Sequence, residues 1–474
     1  MDEKNRTQIQ EKKVMESKNV KSTKYLTTII SAAALIILVQ FVDSYCTEIF
    51  GKTQSLSART FLMDPRGMSS DAAVAYMSRG MLPFYLIGAL TPFIRSYTDI
   101  IGRKKMMLIN VSLLILGSVV CLMADSLWVY LLGNGILILG YSLDIHLIYI
   151  VDAIDKKHRG TIRGICGGVS MAAAMCIPLL RSLCVDGGRH RWQWLFGVGV
   201  MGGLFCLMLV MIYKFPGVAA SNRAENMTVN VAETSGGADY TDLDEDTVED
   251  RACDDNGSEV GTYANGISDD MPGSDGHIHF FKTFRRICED KKTRNLLLSI
   301  SVVGLATAGI TYYNEPMCAF SGMGESSVNM ILLMQPVAAL VINVITGILA
   351  DHIDRVLVVR VGIVLSLIAG VVFTLGVGHI SSAVLLGVLW GCMNGFYFSA
   401  EELINLLVME SVDGSVRGRA SAMSTLSYGV GDQIGIFLIS LVVGALGMRW
   451  AKMLFLVPPL AVAYVLIRSK LRNK

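Results

Sequence analysis

Residues 152–160 read Asp152-Ala-Ile-Asp155-Lys-Lys-His-Arg159-Gly160, and residues 410–418 read Glu410-Ser-Val-Asp413-Gly-Ser-Val-Arg417-Gly418. Acid, acid, arginine and glycine fall at one spacing in both stretches, 258 residues apart, each at the end of a long apolar run. The same shift carries Arg191-Trp192 onto Arg449-Trp450 and Asp144 onto Glu402, and a shift of 252 carries Asp99 onto Asp351. One charged element is therefore built into each half of a duplicated chain.

Working outward, the apolar runs set the fold class. Hydrophobic residues are 52% of the 474-residue chain and charged residues 17%, below the roughly one quarter charged that is usual in soluble domains. Runs of bilayer-crossing length, about 20 residues, fall near 25–46, 76–94, 106–124, 128–151, 161–183 and 194–213, then near 295–314, 327–349, 356–377, 381–408, 419–445 and 450–468. This predicts an all-α membrane protein with 12 transmembrane helices in two six-helix pseudo-symmetric bundles. The expected divisions are a tail at 1–24, a first bundle at 25–215, a linker at 216–293 and a second bundle at 294–474. The linker holds Asp242-Leu-Asp244-Glu245-Asp246 and further acidic pairs among Gly, Ser, Asn and Thr. Such composition cannot bury enough apolar surface to offset its ordering entropy, so disorder is expected there. Residues 281–294 suggest a short amphipathic helix at the membrane surface.

The net charge of +1 points to neither nucleic acid nor an acidic partner. Its distribution is more telling. Lys12, Lys13, Arg103-Lys104-Lys105, Lys156-Lys157, Arg285-Arg286, Arg417, Arg468 and Lys470 all flank spans on one side. The excess of positive charge facing the cytoplasm then places both termini there, in a plasma (cell inner) membrane. Arg181, Arg189 and Arg191 oppose that rule on the other side and are outnumbered. The first run is longer than a signal-peptide core and Cys46-Thr-Glu-Ile-Phe follows it, so it reads as a retained span. Ten scattered cysteines without a CxxC pair read as small apolar residues. No metal-ligand spacing, nucleophile–base pair or Walker A loop stands out, so no metal, cofactor or enzymatic role is expected.

Asp99-Ile-Ile-Gly102-Arg103-Lys104 resembles the cytoplasmic signature of the major facilitator superfamily between spans two and three. Gly347-Ile-Leu-Ala-Asp351-His-Ile-Asp354-Arg355 is its counterpart between spans eight and nine. Each copy departs from the pattern, with Arg95 at the leading glycine of the first and Asp354 at a usual glycine of the second. Tyr149-x-x-Asp152 with Arg159-Gly160 is similar to the element after span four in sugar porters and their metabolite–proton relatives, while a clear Pro-Glu-Ser-Pro-Arg is missing after span six. The resemblance implies a latch at the cytoplasmic face, with Asp99, Gly102, Arg103, Lys104, Asp351 and Arg355 at its edge. It also implies ion pairs Asp152/Arg159 and Glu410/Arg417. Topogenic charge explains a lone basic residue better; acid and arginine repeated together favour the latch.

Carboxylates within a span cost about 2.5–3.5 kcal/mol on insertion scales and so mark cavities or partners. Asp43 lies toward the outer end of span one, Asp144 in the inner half of span four, and Glu401 and Glu402 in the inner half of span ten. Asn394, Tyr397 and Glu401 share one helical face. Asp432 is mid-span in span eleven, and Asn314 and Glu315 end span seven. Spans one, four, seven and ten line the cavity in the resembled family. That places Asp43, Asp144, Tyr313, Asn314, Asn394, Tyr397 and Glu401 near solute or protons, while Asp432 is a proton site or a packed partner. Each has an interhelical hydrogen bond as its plain alternative.

The expected function is alternating-access transport of a small polar solute, a sugar, carboxylate or related metabolite, coupled to protons with Glu401 or Asp144 as carrier. Sodium also suits such oxygens, so the ion stays open. Drug or organic-cation efflux and a nutrient-sensing transceptor using the central loop are the alternatives. The expected partners are the solute, a proton and the bilayer, with a monomer as the functional unit.

Overall fold

The computed structural model describes residues 31, 33–89, 101–143, 156–185, 191–213, 289–412 and 417–468, and among them every regular element is a helix. Side chains at 89, 103, 142–143, 156–164, 292, 417–419, 421 and 468 lie outside that description. Helices dominate because a bilayer offers no partner for backbone polar groups, and a helix satisfies them within itself.

Helix α1 (Ala33–Lys52) continues through Gln54–Ala58 and a wide π-turn at Arg59–Met63. It is followed by α2 (Ser70–Ala89), α3 (Arg103–Leu122), α4 (Leu127–Leu143), α5 (Lys156–Val185) and α6 (Trp194–Ile212). The second half holds α7 (Lys291–Thr311), a short helix Asn314–Ala319, α8 (Glu325–His352), α9 (Arg355–Gly376) and α10 (Ala383–Glu410). A continuous run Arg417–Arg468 is divided at Gly447, whose φ of 75° is non-helical. We name its parts α11 (417–446) and α12 (448–468). Nine described helices are long and apolar enough to cross a membrane, counting α11 and α12 as one. Helix α4 is shorter, and α2 carries Asp71 and Arg79.

Two boundaries differ from the sequence reading. The first helix runs to Lys52 rather than ending near 46, and on it Glu48 and Lys52, at i and i+4, lie 3.8 Å apart on one face. Asp43 is therefore in the body of α1, not near its end. Helix α7 begins at Lys291, inside the stretch expected as linker. Residues 216–288, which hold the acidic segment, lie outside the described residues, as does most of the expected surface helix.

Close helix contacts rest on glycine. Gly387, Gly391 and Gly395 recur every fourth residue along α10, and a Cβ on any of them would overlap α8 at Ile331, Gln335 or Ile342. Gly304 of α7 faces the Tyr428 carbonyl of α11, while Gly431 of α11 faces the Ser301 carbonyl of α7. Lipid gives helices no hydrophobic reason to associate, so backbone approach of this kind supplies the packing. In the first half, rings of Phe61, Tyr130, Trp192 and Phe196 form a cluster, edge to face except for the tilted Phe61–Tyr130 pair. Trp192 is buried, yet its repeat partner Trp450 is 62% exposed. The repeat reaches the helices without reaching every side chain. Outward-facing Leu183, Met201, Ile212 and Val465 belong to an apolar outer surface.

Candidate functional site

The end of the molecule bearing Gly102, Asp351 and Glu410 is called the near face, and the end bearing Arg66, Ser321 and Gly447 the far face.

At the far face the two halves are joined by buried charge. Arg181 of α5 has no exposed side-chain surface and reaches Glu315 at 3.2 Å, Glu325 at 3.1 Å and the Asn329 amide oxygen at 3.1 Å. Glu315 also accepts from the Ser55 backbone N–H at 2.8 Å and from the Ser55 hydroxyl. Arg59 adds a longer contact to Glu325 at 3.5 Å. Below them Lys52, 3% exposed, donates to Gln335 of α8 at 3.0 Å and lies 5.7 Å over the Trp390 ring.

A second seam joins α2 to the α11–α12 corner. The Met448 N–H, at the start of α12, donates to Asp71 at 3.1 Å. Arg79 donates to the Ser440 and Leu441 carbonyls near the end of α11, at 3.0 and 3.3 Å. The acid thus meets a helix N-terminus and the base a helix C-terminus, the favourable sense for both dipoles. Only a residue tolerant of positive φ fits the corner at Gly447, and the Asp71 carboxylate is 3.5 Å from where its Cβ would lie.

Between the seams α7 is broken. Tyr313 has φ 65°, the one described non-glycine residue with positive φ. A break leaves carbonyls without intrahelical donors. Lys452 of α12, fully buried, donates to the Gly309 carbonyl and the Asn314 amide oxygen. Asn314 in turn donates to the Ile310 and Thr311 carbonyls at 2.6 and 3.3 Å. The Tyr313 hydroxyl donates to Ser78 of α2 at 3.1 Å, tying the break to the opposite half.

The middle of the molecule holds tyrosines and carboxylates. The Tyr397 hydroxyl donates to the Val303 carbonyl at 2.6 Å, and Thr307 lies 2.6 Å from it and 3.0 Å from the Tyr428 hydroxyl. Tyr85 of α2 and Tyr312 in the break after α7 pack edge to face, centroids 6.1 Å apart. Asp432 lies one helical turn after Tyr428 on α11, and Glu401 one turn after Tyr397 on α10. Asn394 is buried, and its side-chain oxygen has no partner among the described residues.

The expected central residues are thus brought together in part. Asn394, Tyr397, Glu401 and Asp432 share the middle; Tyr313 and Asn314 form the break above it. Asp43 is fully buried, one turn before Cys46, whose sulfur accepts from Ser118 of α3 at 3.6 Å. Glu402 is exposed. Asp144 lies outside the described residues.

At the near face the expected latch is seen only in fragments. Asp99 and Asp152 lie outside the described residues, and Arg103, Arg159 and Arg417 are helical with undescribed side chains. Gly102, φ 91°, precedes α3. Lys104 donates to the Met211 and Tyr213 carbonyls, both at 2.9 Å, so it caps α6 of its own half. Glu410 pairs with Arg355, linking two expected latch residues within one half. Asp351 is exposed and has no ion pair among the described residues.

Arg181, Lys52 and Lys452 are absent from the sequence-derived site. The signals were present: Arg181 breaks the charge rule, and Lys452 is a cation inside a span. Lys52 fell beyond the first apolar run, which ends near 46.

A family model described as Major Facilitator Superfamily matches residues 25–431. An MFS-type efflux pump of the fungus Mycosarcoma maydis is 29% identical over 197 residues, covering 41% of this chain and 29% of that protein. An uncharacterized MFS-type transporter of Bacillus subtilis (strain 168) is 31% identical over 113 residues, covering 22% of this chain and 20% of that one. These matches therefore span less than a third of either relative. Among solved structures, a partially occluded inward-open xylose transporter of E. coli aligns with TM-score 0.64 at 12% identity, covering 94% of this chain and 99% of that one. A nucleoside transporter aligns with TM-score 0.62 at 13% identity, covering 94% and 100%. Such low identities establish the fold alone.

Proposed function

Because the chain belongs to the major facilitator superfamily, and so is a membrane transporter rather than an enzyme, we propose that it moves a small polar solute by alternating access with proton coupling. The observation that carries this reading is the buried Arg181–Glu315 pair, which closes the far face between the halves above a polar centre. Two rigid bundles rocking about a central site need a closure that forms on one side and releases on the other. With the near face cytoplasmic, the far-closed arrangement supports an inward-facing state. Tyr397, Tyr428, Asp432 and Glu401 supply the polar centre, and the two carboxylates suit proton exchange. The near-face pair Arg355–Glu410 is available to the opposite closure.

Export rather than uptake is the second reading, favoured by the match to an MFS-type efflux pump. Reconstitution into proteoliposomes under an imposed pH gradient tests both. Gradient-dependent flux of a polar solute, lost on collapsing the gradient, is the expected result, and its direction separates uptake from export. Flux that ignores the gradient removes the proton from the reading.

A further inference from the structure

We propose that the break in α7 is a site for a small monovalent cation, and that the Lys452 ammonium occupies it, bringing by covalent tether the charge that a free ion would otherwise supply. Its test reads melting rather than flux, so it stands apart from the transport reading.

Three basic side chains are buried among the described residues: Lys52, Arg181 and Lys452. Two of them face a carboxylate, Lys52 at 3.8 Å from Glu48 and Arg181 at 3.2 Å from Glu315. Lys452 is fully buried and pairs with no carboxylate among the described residues. A lone charge within the membrane is costly unless its surroundings replace both water and counter-ion. If hydrogen bonding were the whole requirement, a neutral donor would meet it without that penalty.

The surroundings suit a bound cation. The Lys452 Nζ donates to the Gly309 carbonyl and to the Asn314 amide oxygen, both at 2.5 Å. The Met393 sulfur lies 3.9 Å away and the Phe373 ring centroid 5.7 Å away. Two oxygens, a thioether and an aromatic face thus converge from α7, the short helix after it, α10 and α9. Ring faces attract desolvated cations through their quadrupoles. The C-terminal end of α7 adds a dipole of the same sense.

The break itself creates the oxygens. The positive φ of Tyr313 interrupts the helical ladder. Ala308 accepts from the Tyr312 N–H at 3.3 Å, and Ile310 and Thr311 accept from the Asn314 amide at 2.6 and 3.3 Å. The Gly309 carbonyl takes Lys452 instead. Because Asn314 donates both hydrogens to α7, its oxygen is left to face the ammonium. Carbonyls freed where a helix unwinds are groups with which secondary transporters hold sodium.

Close packing fixes the ammonium in place. A Cβ on Gly309 would lie 2.5 Å from the Leu456 nitrogen and 2.6 Å from the Phe455 carbonyl carbon. Backbone contact between α7 and α12, one turn beyond Lys452, therefore holds the lysine stem against the break. While Lys452 is there, the break has no room for sodium.

Lys452→Ala removes the equivalent of propylammonium. Purified full-length protein in detergent is melted in sodium chloride, propylammonium chloride or choline chloride at equal ionic strength, and in choline chloride with n-propanol. In Lys452→Ala, sodium or propylammonium should raise the melting temperature saturably over choline, by about 2–4 °C near a tenfold excess over the dissociation constant. The parent should melt alike in all conditions, because its site is filled. No gain from either cation, a gain matched by n-propanol, or an equal gain in the parent would overturn the proposal. Lys452→Gln keeps a donor without the charge, and it decides the matter should Lys452→Ala fail to fold. It should melt well below the parent. Melting with the parent would show that a neutral donor suffices, which also overturns the proposal.

Discussion

Arg181 of α5 and Glu315 at the break of α7 lie in opposite halves, yet their side chains meet at 3.2 Å with no exposed surface on either. Removing one partner of such a pair strands a buried charge, which costs about 3–5 kcal/mol, whereas replacing both by apolar groups is often neutral. Arg181→Met should therefore lower the melting temperature markedly, and Arg181→Met with Glu315→Met should recover most of the loss. A double variant as unstable as the single one would contradict this account.

The same seam should report on conformation. A cysteine placed at Asn329, which accepts from Arg181 at 3.1 Å, should react slowly with a membrane-impermeant maleimide from the far side. Arg181→Ala should speed that reaction several-fold. Equal rates in both backgrounds would show that the far face is held shut by something else.

Lys452 satisfies the Gly309 carbonyl freed by the break in α7 and the Asn314 oxygen beside it. Lys452→Met keeps most of the volume and leaves both acceptors unmet, each a penalty of about 1–3 kcal/mol. The expected outcome is a large drop in thermal stability. A variant that melts with the parent would mean that the carbonyls find other donors.

Arg355 and Glu410 are paired while both are partly exposed, 34% and 45%. Exposed pairs contribute about 0–1 kcal/mol. Glu410→Ala should leave melting nearly unchanged while cutting flux in proteoliposomes, if this pair serves the near-side closure. Normal flux would assign it to surface charge alone.

Gly431 lets α11 touch the α7 backbone at Ser301, where any Cβ would overlap the carbonyl. Gly431→Val forces the helices apart, and overpacking of this kind costs about 1–3 kcal/mol or more. Poor expression or a broadened size-exclusion peak is the expected readout, and a monodisperse, fully stable variant would refute the close approach.

Legibility varied with the range of the interaction. The apolar runs, the two charged repeats and the family signature are local patterns, and each could be read along the chain. Helical spacing likewise put Asn394, Tyr397 and Glu401 on one face. The apolar run ends near 46, but the helix continues to Lys52, where Glu48 and Lys52 lie 3.8 Å apart at i and i+4. Lys104 looked like a latch residue, and only the position of α6 shows that it caps a helix. Arg191-Trp192 and Arg449-Trp450 match in sequence, but Trp192 is core and Trp450 faces outward.

By itself the sequence determined the helical membrane fold class and the family, because hydropathy and short motifs are properties of contiguous residues. Only the tertiary structure decided which charges meet. Arg181 finds Glu315 across 134 residues and Lys452 finds Asn314 across 138. Such pairings depend on the rotation of each helix and on which half lies opposite. No local pattern encodes that, since a buried charge reads the same along the chain whether its partner is near or missing.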